Sequence, residues 1–347
     1  MRQCCVPFTP LLAPGSWPPG NSWVLPDHKI VYISTTKVAC SSLRWMIADL
    51  VGEDFSAFYR APGDHQTRLM TIHTRRDSWQ HSPQIKNYPP EARARISRDD
   101  GWFIFAVVRD PWTRLFSAWQ SKMLVRHASY VEHYQQQPWF PRVPTTAEDV
   151  LADWRRFVRA TPWETNRQLS QDPHFMPQVE SVHPDTVNYS RVYDLTAMDE
   201  LTSDLHTHLK GVGRDQELYL PRANESPLRM TRECLDPGTV QVVSAAYKAD
   251  FAAFPGRWNL NELRLTDRPW TRDGLDAVAY HGVANERIGD LSRELYATRG
   301  ALRAELRRTR ALKHEIRRTR WLPGAALGQL RRVRAAAQAR REGPGAD

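Results

Sequence analysis

Apolar and polar segments alternate along most of the chain in a way that predicts strands followed by helices. Two apolar runs, residues 29–34 and 103–108, are rich in β-branched and aromatic side chains and are typical of buried strands. Each is followed by a polar turn and then by a segment with helical spacing, residues 41–51 and 112–125. Because strands alternate with helices, the pattern favours an α/β fold in which helices flank a mostly parallel sheet.

The other elements are predicted from weaker patterns. Residues 53–90 are polar and contain several His, Pro and Arg, which predicts loops and short pieces. A third strand is expected over residues 186–192, with a turn over residues 193–195. Helices are predicted over residues 91–97, 147–160, 198–209 and 237–254.

Four segments are predicted along the chain. Residues 1–27 form an irregular, proline-rich lead-in, residues 28–265 form the main domain, and residues 266–283 form a linker. Residues 284–347 form a basic helical tail, either a long exposed helix or a coiled coil, in which Arg and Glu surround an apolar seam. The seam consists of Ile288, Leu291, Leu295, Leu302, Leu306, Leu312 and Ile316.

The net charge of +9 belongs to the tail. Residues 285–347 hold 16 Lys and Arg and 7 Asp and Glu, whereas the other 284 residues hold 32 of each sign. Because the body of the chain is neutral, nucleic acid is not an expected partner. The tail has two expected partners: a second copy of the chain, through the seam, or an anionic membrane surface.

Several features bear on the compartment and on metals. No run reaches the ~20 apolar residues that a membrane span needs, and the N-terminal stretch lacks the basic and unbroken apolar regions of a signal peptide. Four scattered cysteines favour neither a disulfide framework nor a zinc site, and no His, Asp or Glu cluster has metal-ligand spacing. We therefore expect a cytoplasmic protein without a metal, peripheral at a membrane if the tail docks there.

The polar turns after the two strongest strands both suit anions. Such a turn brings backbone N–H groups and a helix dipole to the C-terminal end of a strand, where anions bind in open α/β sheets. In the first turn, Lys37 lies where the strand ends, as the lysine of nucleotide-binding loops does. In the second, Arg109 ends the strand and Ser117 lies two helical turns later, so both can reach one phosphate. Two such turns predict a ligand with two phosphate groups.

These two turns and two later segments resemble the carbohydrate sulfotransferases of sulfotransferase family 2, which include Golgi enzymes acting on chondroitin, dermatan and the HNK-1 glycan. Residues 36–42 are similar to the loop that binds the 5′-phosphosulfate in that family, and residues 108–118 are similar to its 3′-phosphate motif. Residues 174–178 with Tyr193-Asp194, and residues 224–226, resemble further family blocks. The resemblance extends over residues 28–256, with Thr36 and Ala39 where the family has Pro and Gly.

The resemblance implies a donor, a reaction and a set of binding residues. The donor is 3′-phosphoadenosine 5′-phosphosulfate (PAPS), and the reaction is in-line transfer of its sulfuryl group to a hydroxyl of a glycan or glycolipid. Lys37 would stabilise the charge on the bridging oxygen of the leaving group. The 5′-phosphate would be held by Val38, Ala39, Cys40, Ser41 and Ser42. The 3′-phosphate would be held by Arg109 and Ser117, with Arg114 either a further ligand or a member of a structural ion pair.

The acceptor hydroxyl needs a general base, for which histidine suits neutral pH. In related enzymes the base lies between the two phosphate motifs, where this chain has His65, His73 and His81. His73 follows a short apolar run and is the first candidate. His174 is the second candidate.

Two other functions stay open from the sequence. A nucleotide-dependent kinase with a related fold is disfavoured because the chain lacks the Gly-x-x-x-x-Gly-Lys-Ser/Thr pattern. A basic-helix protein that binds nucleic acid or membranes fits the tail but not the neutral body. The absence of a transmembrane anchor, unlike the Golgi enzymes, favours a bacterial, cytoplasmic member of the family.

Overall fold

The computed structural model describes residues 9–59, 68–73, 79–319, 328–329 and 331–335. It divides into two compact units, Met1–Gly289 (unit 1) and Asp290–Asp347 (unit 2). Unit 1 contains the sheet and all of the predicted site residues. Within the described ranges, no helix is both long and apolar enough to cross a membrane.

A four-stranded sheet lies at the centre of unit 1, in the order β1-β2-β3-β4. The strands are β1 Ser22–Leu25, β2 Ile30–Ile33, β3 Phe103–Val108 and β4 Arg191–Asp194. β1 pairs antiparallel with β2, while β2, β3 and β4 are parallel. The predicted α/β fold, with a mainly parallel sheet between helices, is confirmed.

Helices account for most of the remaining regular structure. The α-helices are α1 Cys40–Leu50, α2 Phe55–Tyr59, α3 Pro90–Arg93, α4 Pro111–Trp119, α5 Ala128–Tyr134, α6 Ala147–Ala160, α7 Pro162–Thr165, α8 Arg167–Ser170, α9 Val179–Val182, α10 Met198–Gly211, α11 Pro237–Ala246, α12 Lys248–Ala253 and α13 Arg272–Thr319. A π-helical turn, Gln120–Leu124, continues α4. The 3₁₀ turns are Pro26–His28, Arg68–His73, Ile85–Asn87, Leu195–Ala197, Arg232–Cys234 and Leu260–Glu262.

The sheet is buried on both faces, which explains why its strands are apolar without alternation. On one face, side chains of β2 and β3 such as Tyr32 and Phe105 pack with α1 and α10. On the other, alternate residues such as Val31 and Ile104 pack with Val182 of α9 and with the loops before it. A third, aromatic cluster joins α4, α6, α11 and the start of α13. The C-terminal ends of the three parallel strands are therefore held rigidly at one edge.

Two of the predicted segment boundaries are wrong. Residues 22–25, in the predicted irregular lead-in, form edge strand β1, because a proline-rich segment can still supply a short apolar edge strand. Residues 272–283, in the predicted linker, form the first turns of α13. Leu275 and Val278, three residues apart, are buried in the aromatic cluster and attach this part of the helix to unit 1.

Four predicted elements are shifted, shortened or divided. The helix predicted over residues 91–97 is Pro90–Arg93. The third strand is Arg191–Asp194 rather than residues 186–192, because its pairing with β3 begins only at Arg191. The helix after Arg109 becomes a π-helix from Gln120. The helix predicted over residues 237–254 is divided at Tyr247, which is buried and donates a hydrogen bond to the carbonyl of Phe175 (2.5 Å).

Candidate functional site

The first polar turn connects the end of β2 to the start of α1 and has an unusual backbone. Lys37 (φ 66°) and Ala39 (φ 59°) both adopt the left-handed conformation, which costs L-residues about 1–2 kcal/mol each. Ala39 thus takes up the geometry that alanine resists and glycine would adopt freely. A turn held in this form turns successive N–H groups toward one point, an arrangement that binds anions.

The N–H groups of this turn are available to a ligand. The first helical bond runs from the Leu43 N–H to the Ala39 carbonyl (3.0 Å). Within the described residues, the N–H groups of residues 39–42 donate to no acceptor. They lie at the N-terminus of an 11-residue helix, where the helix dipole also favours negative charge. The turn therefore offers an anion site made of backbone groups.

The ammonium group of Lys37 lies beside this turn, and the side chain is only partly exposed. It donates to no acceptor within the described part of the chain. Burial lowers the pKa of Lys37 to about 7, and the positive charges of Lys122, Arg109 and Arg114 contribute to this shift. A cation among other cations, with no carboxylate partner in the described residues, is stabilised by an anionic ligand.

Arg114 fixes the backbone of the first turn through hydrogen bonds. Its side chain is 1% exposed, and its guanidinium donates to the carbonyls of Thr36 (3.2 Å), Met176 (3.0 Å) and Pro173 (2.9 Å). Burial lowers the pKa of this guanidinium. Within the described residues Arg114 forms no ion pair, because its acceptors are these three carbonyl oxygens and the Thr36 hydroxyl (3.3 Å). These contacts make Arg114 a positioning residue for the turn.

The second polar turn is built differently. Asp110 caps α4 by accepting from the Thr113 N–H (2.7 Å), and its carbonyl accepts from the Arg114 N–H (3.1 Å). Pro111 occupies the first helical position and has no N–H. The Asp110 carboxylate thus takes up one backbone donor of this helix N-terminus and Pro111 lacks one, so this turn has fewer N–H groups for an anion than the first turn.

Arg109 is the cationic side chain of the second turn. Its Nε donates to Thr113 Oγ1 (2.8 Å) and its Nη1 to the Lys37 carbonyl (3.4 Å), so it touches the first turn. Gln178 fixes its backbone by accepting from the N–H (2.9 Å) and donating to the carbonyl (2.8 Å). Arg109 borders a cavity of about 310 Å³, which Asp194 and Trp258 also line. A guanidinium therefore lies between the first turn and a space of nucleoside size.

Ser117 and Ser42 both contact one later segment. Ser117 Oγ lies 3.1 Å from Ser226 Oγ, and Ser42 Oγ accepts from the Ala223 N–H (3.3 Å). The structure thus brings the 224–226 block between α1 and α4. Within the described residues, no hydrogen bond joins Ser117 to Arg109.

The three histidines predicted between the motifs have different positions. His73 lies in a 3₁₀ turn against α1, where Arg44 Nη1 donates to its Nδ1. The proton therefore sits on Nε2, which donates to Ser41 Oγ (2.8 Å). His81 is exposed and its N–H donates to Glu53 (2.8 Å), and His65 lies outside the described residues. Both ring nitrogens of His73 are thus engaged, and its contacts position Ser41.

His174 forms a dyad with Asp172. Its Nδ1–H donates to Asp172 Oδ1 (2.7 Å), while the Tyr130 hydroxyl donates to the other carboxylate oxygen. Although burial raises it, the hydrogen bonds from His174 and Tyr130 hold the pKa of Asp172 at about 2. Burial, with the charges of Lys122 and Lys37, lowers the pKa of His174 to about 3. The ring is therefore neutral at pH 7, and its Nε2 has no partner within the described residues.

Two residues of this site were missed by sequence reasoning. Asp172 could have been found from its spacing, since it stands two residues before His174. Lys122 has no sequence signal, because a regular helix would not present it as the π-helical turn Gln120–Leu124 does. Its ammonium lies 5.5 Å from the ring centre of Tyr130, and its charge affects both Lys37 and His174.

The site therefore combines backbone N–H groups, several cations and a neutral histidine. No group of three or more His, Cys, Asp or Glu within the described residues is arranged as a metal site. Comparison with known proteins gives one match: a family model with the description "Sulfotransferase family" covers residues 20–255, more than half of the chain. No curated protein and no solved structure matches the chain.

Proposed function

The chain belongs to the sulfotransferase family, and we propose that it moves a sulfuryl group from PAPS to a hydroxyl of a carbohydrate or glycoconjugate. The observation that carries the donor assignment is the first turn, where four N–H groups and the Lys37 ammonium have no acceptor in the described chain. Such a set fits a phosphosulfate anion. Arg109, at the neighbouring strand end, supplies a second cation for a second phosphate.

In this proposal, each of the two turns binds a different phosphate group of the nucleotide. The N–H groups of Ala39, Cys40, Ser41 and Ser42 bind the 5′-phosphate, and Arg109 binds the 3′-phosphate. The adjoining cavity, with the Trp258 ring in its wall, receives the nucleoside. Arg114 and His73 act through their neighbours, because one holds the turn and the other holds Ser41.

Lys37 and His174 carry the chemical step. Bound PAPS supplies an activated sulfuryl group whose leaving oxygen gains negative charge. Lys37 neutralises that charge, so its attraction is stronger in the transition state than in the ground state. His174 Nε2 accepts the proton of the attacking hydroxyl, while Asp172 holds the ring in the required tautomer and stabilises the imidazolium. The contacts thus favour His174 over His73 as the base.

A hydroxyl on a sugar is the proposed acceptor because the phosphate motifs resemble those of carbohydrate sulfotransferases. We propose that glycans and glycolipids are the acceptor class. A panel of desulfated glycosaminoglycans, neutral glycolipids and simple phenols tests this, with product 3′-phosphoadenosine 5′-phosphate measured by chromatography. Turnover with phenols alone would contradict the carbohydrate assignment and leave the donor assignment intact.

The donor assignment is tested by calorimetric titration with 3′-phosphoadenosine 5′-phosphate, ATP and 5′-AMP. We expect that only the bisphosphate binds with micromolar affinity, which corresponds to a binding free energy on the order of −8 kcal/mol. Lys37→Ala and Arg109→Ala should each weaken this binding. Arg98→Ala, at an exposed arginine that contacts the Tyr189 carbonyl, is the matched control. Equal affinity for ATP would favour a kinase instead.

The base is tested by comparing His174→Asn with His73→Asn. We expect His174→Asn to lower kcat by about 10²–10⁴-fold while bisphosphate affinity is retained. His73→Asn should mainly raise the KM for the donor, because it loosens Ser41. If His73→Asn abolishes kcat and His174→Asn does not, the first sequence candidate is the base.

A further inference from the structure

The exposed part of α13 carries a stripe of leucines on one side, with Thr298, Glu305 and Thr309 among them, and arginines elsewhere. The leucine stripe consists of Leu291, Leu295, Leu302, Leu306 and Leu312, each more than two-fifths exposed. At 100° per residue, these five positions fall within an arc of about 120°. A stripe of this width would bury a considerable apolar area against a partner.

The net charge of unit 2 favours an anionic partner. Residues 290–347 hold 15 Lys and Arg and 6 Asp and Glu, so unit 2 carries the whole net charge of +9 and unit 1 is neutral. Arg299 and Arg310 project just outside one border of the stripe, and Arg308 outside the other. Long arginine stems can lie along an apolar surface while their heads reach outward to anions.

A second copy of the helix is a poor fit for this stripe. A heptad frame that places Leu295 and Leu302 at position a puts Leu291 and Leu312 at position d. In the middle of the segment, however, Thr298 and Glu305 fall at d, Thr309 falls at a, and Leu306 lies outside the seam. Two copies of a unit with charge +9 also repel one another. Both observations point away from a homotypic coiled coil.

We propose that the segment Leu291–Leu312 of α13 lies in the interface of an anionic lipid bilayer, with the leucine stripe among the acyl chains and the arginines at the headgroups. The charge of unit 2 matches the negative surface of such a membrane, and each basic residue near it strengthens binding. The combination of leucines on one face and arginines on the other is that of interfacial helices. The proposal does not depend on the donor or the acceptor of the enzyme.

Flotation of the full-length protein with lipid vesicles tests the proposal. Vesicles of phosphatidylcholine with phosphatidylserine should bind the protein at low salt, and vesicles of phosphatidylcholine alone should bind it weakly. Leu302→Glu/Leu306→Glu should weaken binding by about a hundredfold or more, because two buried leucines are lost. The matched control is Ala297→Glu/Ala311→Glu, which makes the same charge change on the opposite, exposed face and should weaken binding less than about tenfold.

Circular dichroism and bisphosphate binding establish that both variants are folded. Selective loss in the leucine variant supports the proposal. Equal loss in both variants would overturn it, because charge alone would then explain the binding. Absence of binding to phosphatidylserine vesicles also overturns it, whether sedimentation shows a dimer that requires the leucines or the tail binds duplex DNA instead.

Discussion

The two turns proposed to bind the phosphates of the donor follow neighbouring strands at one edge of the sheet, yet they are built differently. In the first, the backbone N–H groups of α1 and the Lys37 ammonium have no acceptor in the described chain. In the second, the Asp110 carboxylate accepts from the Thr113 N–H and Pro111 has no N–H, so the Arg109 guanidinium is the main group that could bind an anion. The same strand–turn–helix pattern thus produces one turn that presents mainly backbone donors and one that presents mainly an arginine.

Because they are built differently, the two turns should be sensitive to different substitutions. A backbone site depends on conformation, so the left-handed residues Lys37 and Ala39 and the clamp of Arg114 determine it. A side-chain site depends on the geometry of one guanidinium, which Thr113 and Gln178 hold. Substitutions that separate these two dependences test the comparison.

The largest effect is expected from Lys37→Met in the first turn. Loss of the cation at the leaving oxygen should lower kcat by about 10³-fold. The same change should raise the free energy of unfolding at pH 7 by about 1–2 kcal/mol. The pKa of Lys37 is about 7 when folded, below its ordinary value of 10.5, so the unfolded chain binds this proton more tightly. Chemical denaturation measures the free energy of unfolding, and steady-state kinetics measure kcat. If Lys37→Met were less stable than the unmodified protein, burial of the Lys37 cation would not be destabilising.

Arg109→Lys should separate the second turn from the first. A lysine keeps the charge but loses the fork, so affinity for 3′-phosphoadenosine 5′-phosphate should fall by about 10–100-fold. Affinity for adenosine 5′-phosphosulfate, which has no 3′-phosphate, should be nearly unchanged. Calorimetry with both ligands measures the ratio, with Lys37→Met as the variant that weakens both. Equal losses for the two ligands after Arg109→Lys would contradict the division.

The pH dependence of donor binding sharpens the comparison further. Only the protonated form of Lys37 attracts the donor, so kcat/KM for the donor should decline above pH 7 and approach a tenfold loss per pH unit. The decline should move to higher pH in Lys37→Arg, since arginine keeps its charge. A profile that stays flat to pH 9 in the unmodified enzyme would show that Lys37 is not the titrating group.

The smallest effect is expected from Ala39→Gly. Glycine adopts the left-handed conformation of this position freely, so stability should rise by about 0.5–1 kcal/mol with turnover retained. The matched control is Ala152→Gly on the exposed face of α6, where the same change should lower stability by about 1 kcal/mol. Thermal unfolding measures the stability change of each variant. A loss of stability in Ala39→Gly would show that the backbone at position 39 is not strained.

The sequence allowed strands β2 and β3 and the positions of Lys37 and Arg109 to be predicted, because they depend on local apolar runs and their ends. It did not allow the N-cap of α4 to be recognised, although Asp110-Pro111 is a capping pattern, since an anion motif and a helix cap share those residues. The dyad of Asp172 and His174 and the position of Lys122 depend on tertiary packing and a π-helical turn. Of the cations that act on Lys37, Arg109 and Arg114 were predicted from the sequence with it, whereas Lys122 was not.

The clamp made by Arg114 has a consequence for how related sequences can diverge. Besides the Thr36 hydroxyl, its acceptors are the main-chain oxygens of Thr36, Pro173 and Met176, and every amino acid provides such an oxygen. Side chains at positions 173 and 176 can therefore be exchanged over generations while the connection to the first turn is inherited intact. Selection on this contact therefore acts on the codon for residue 114 and not on the codons for residues 173 and 176.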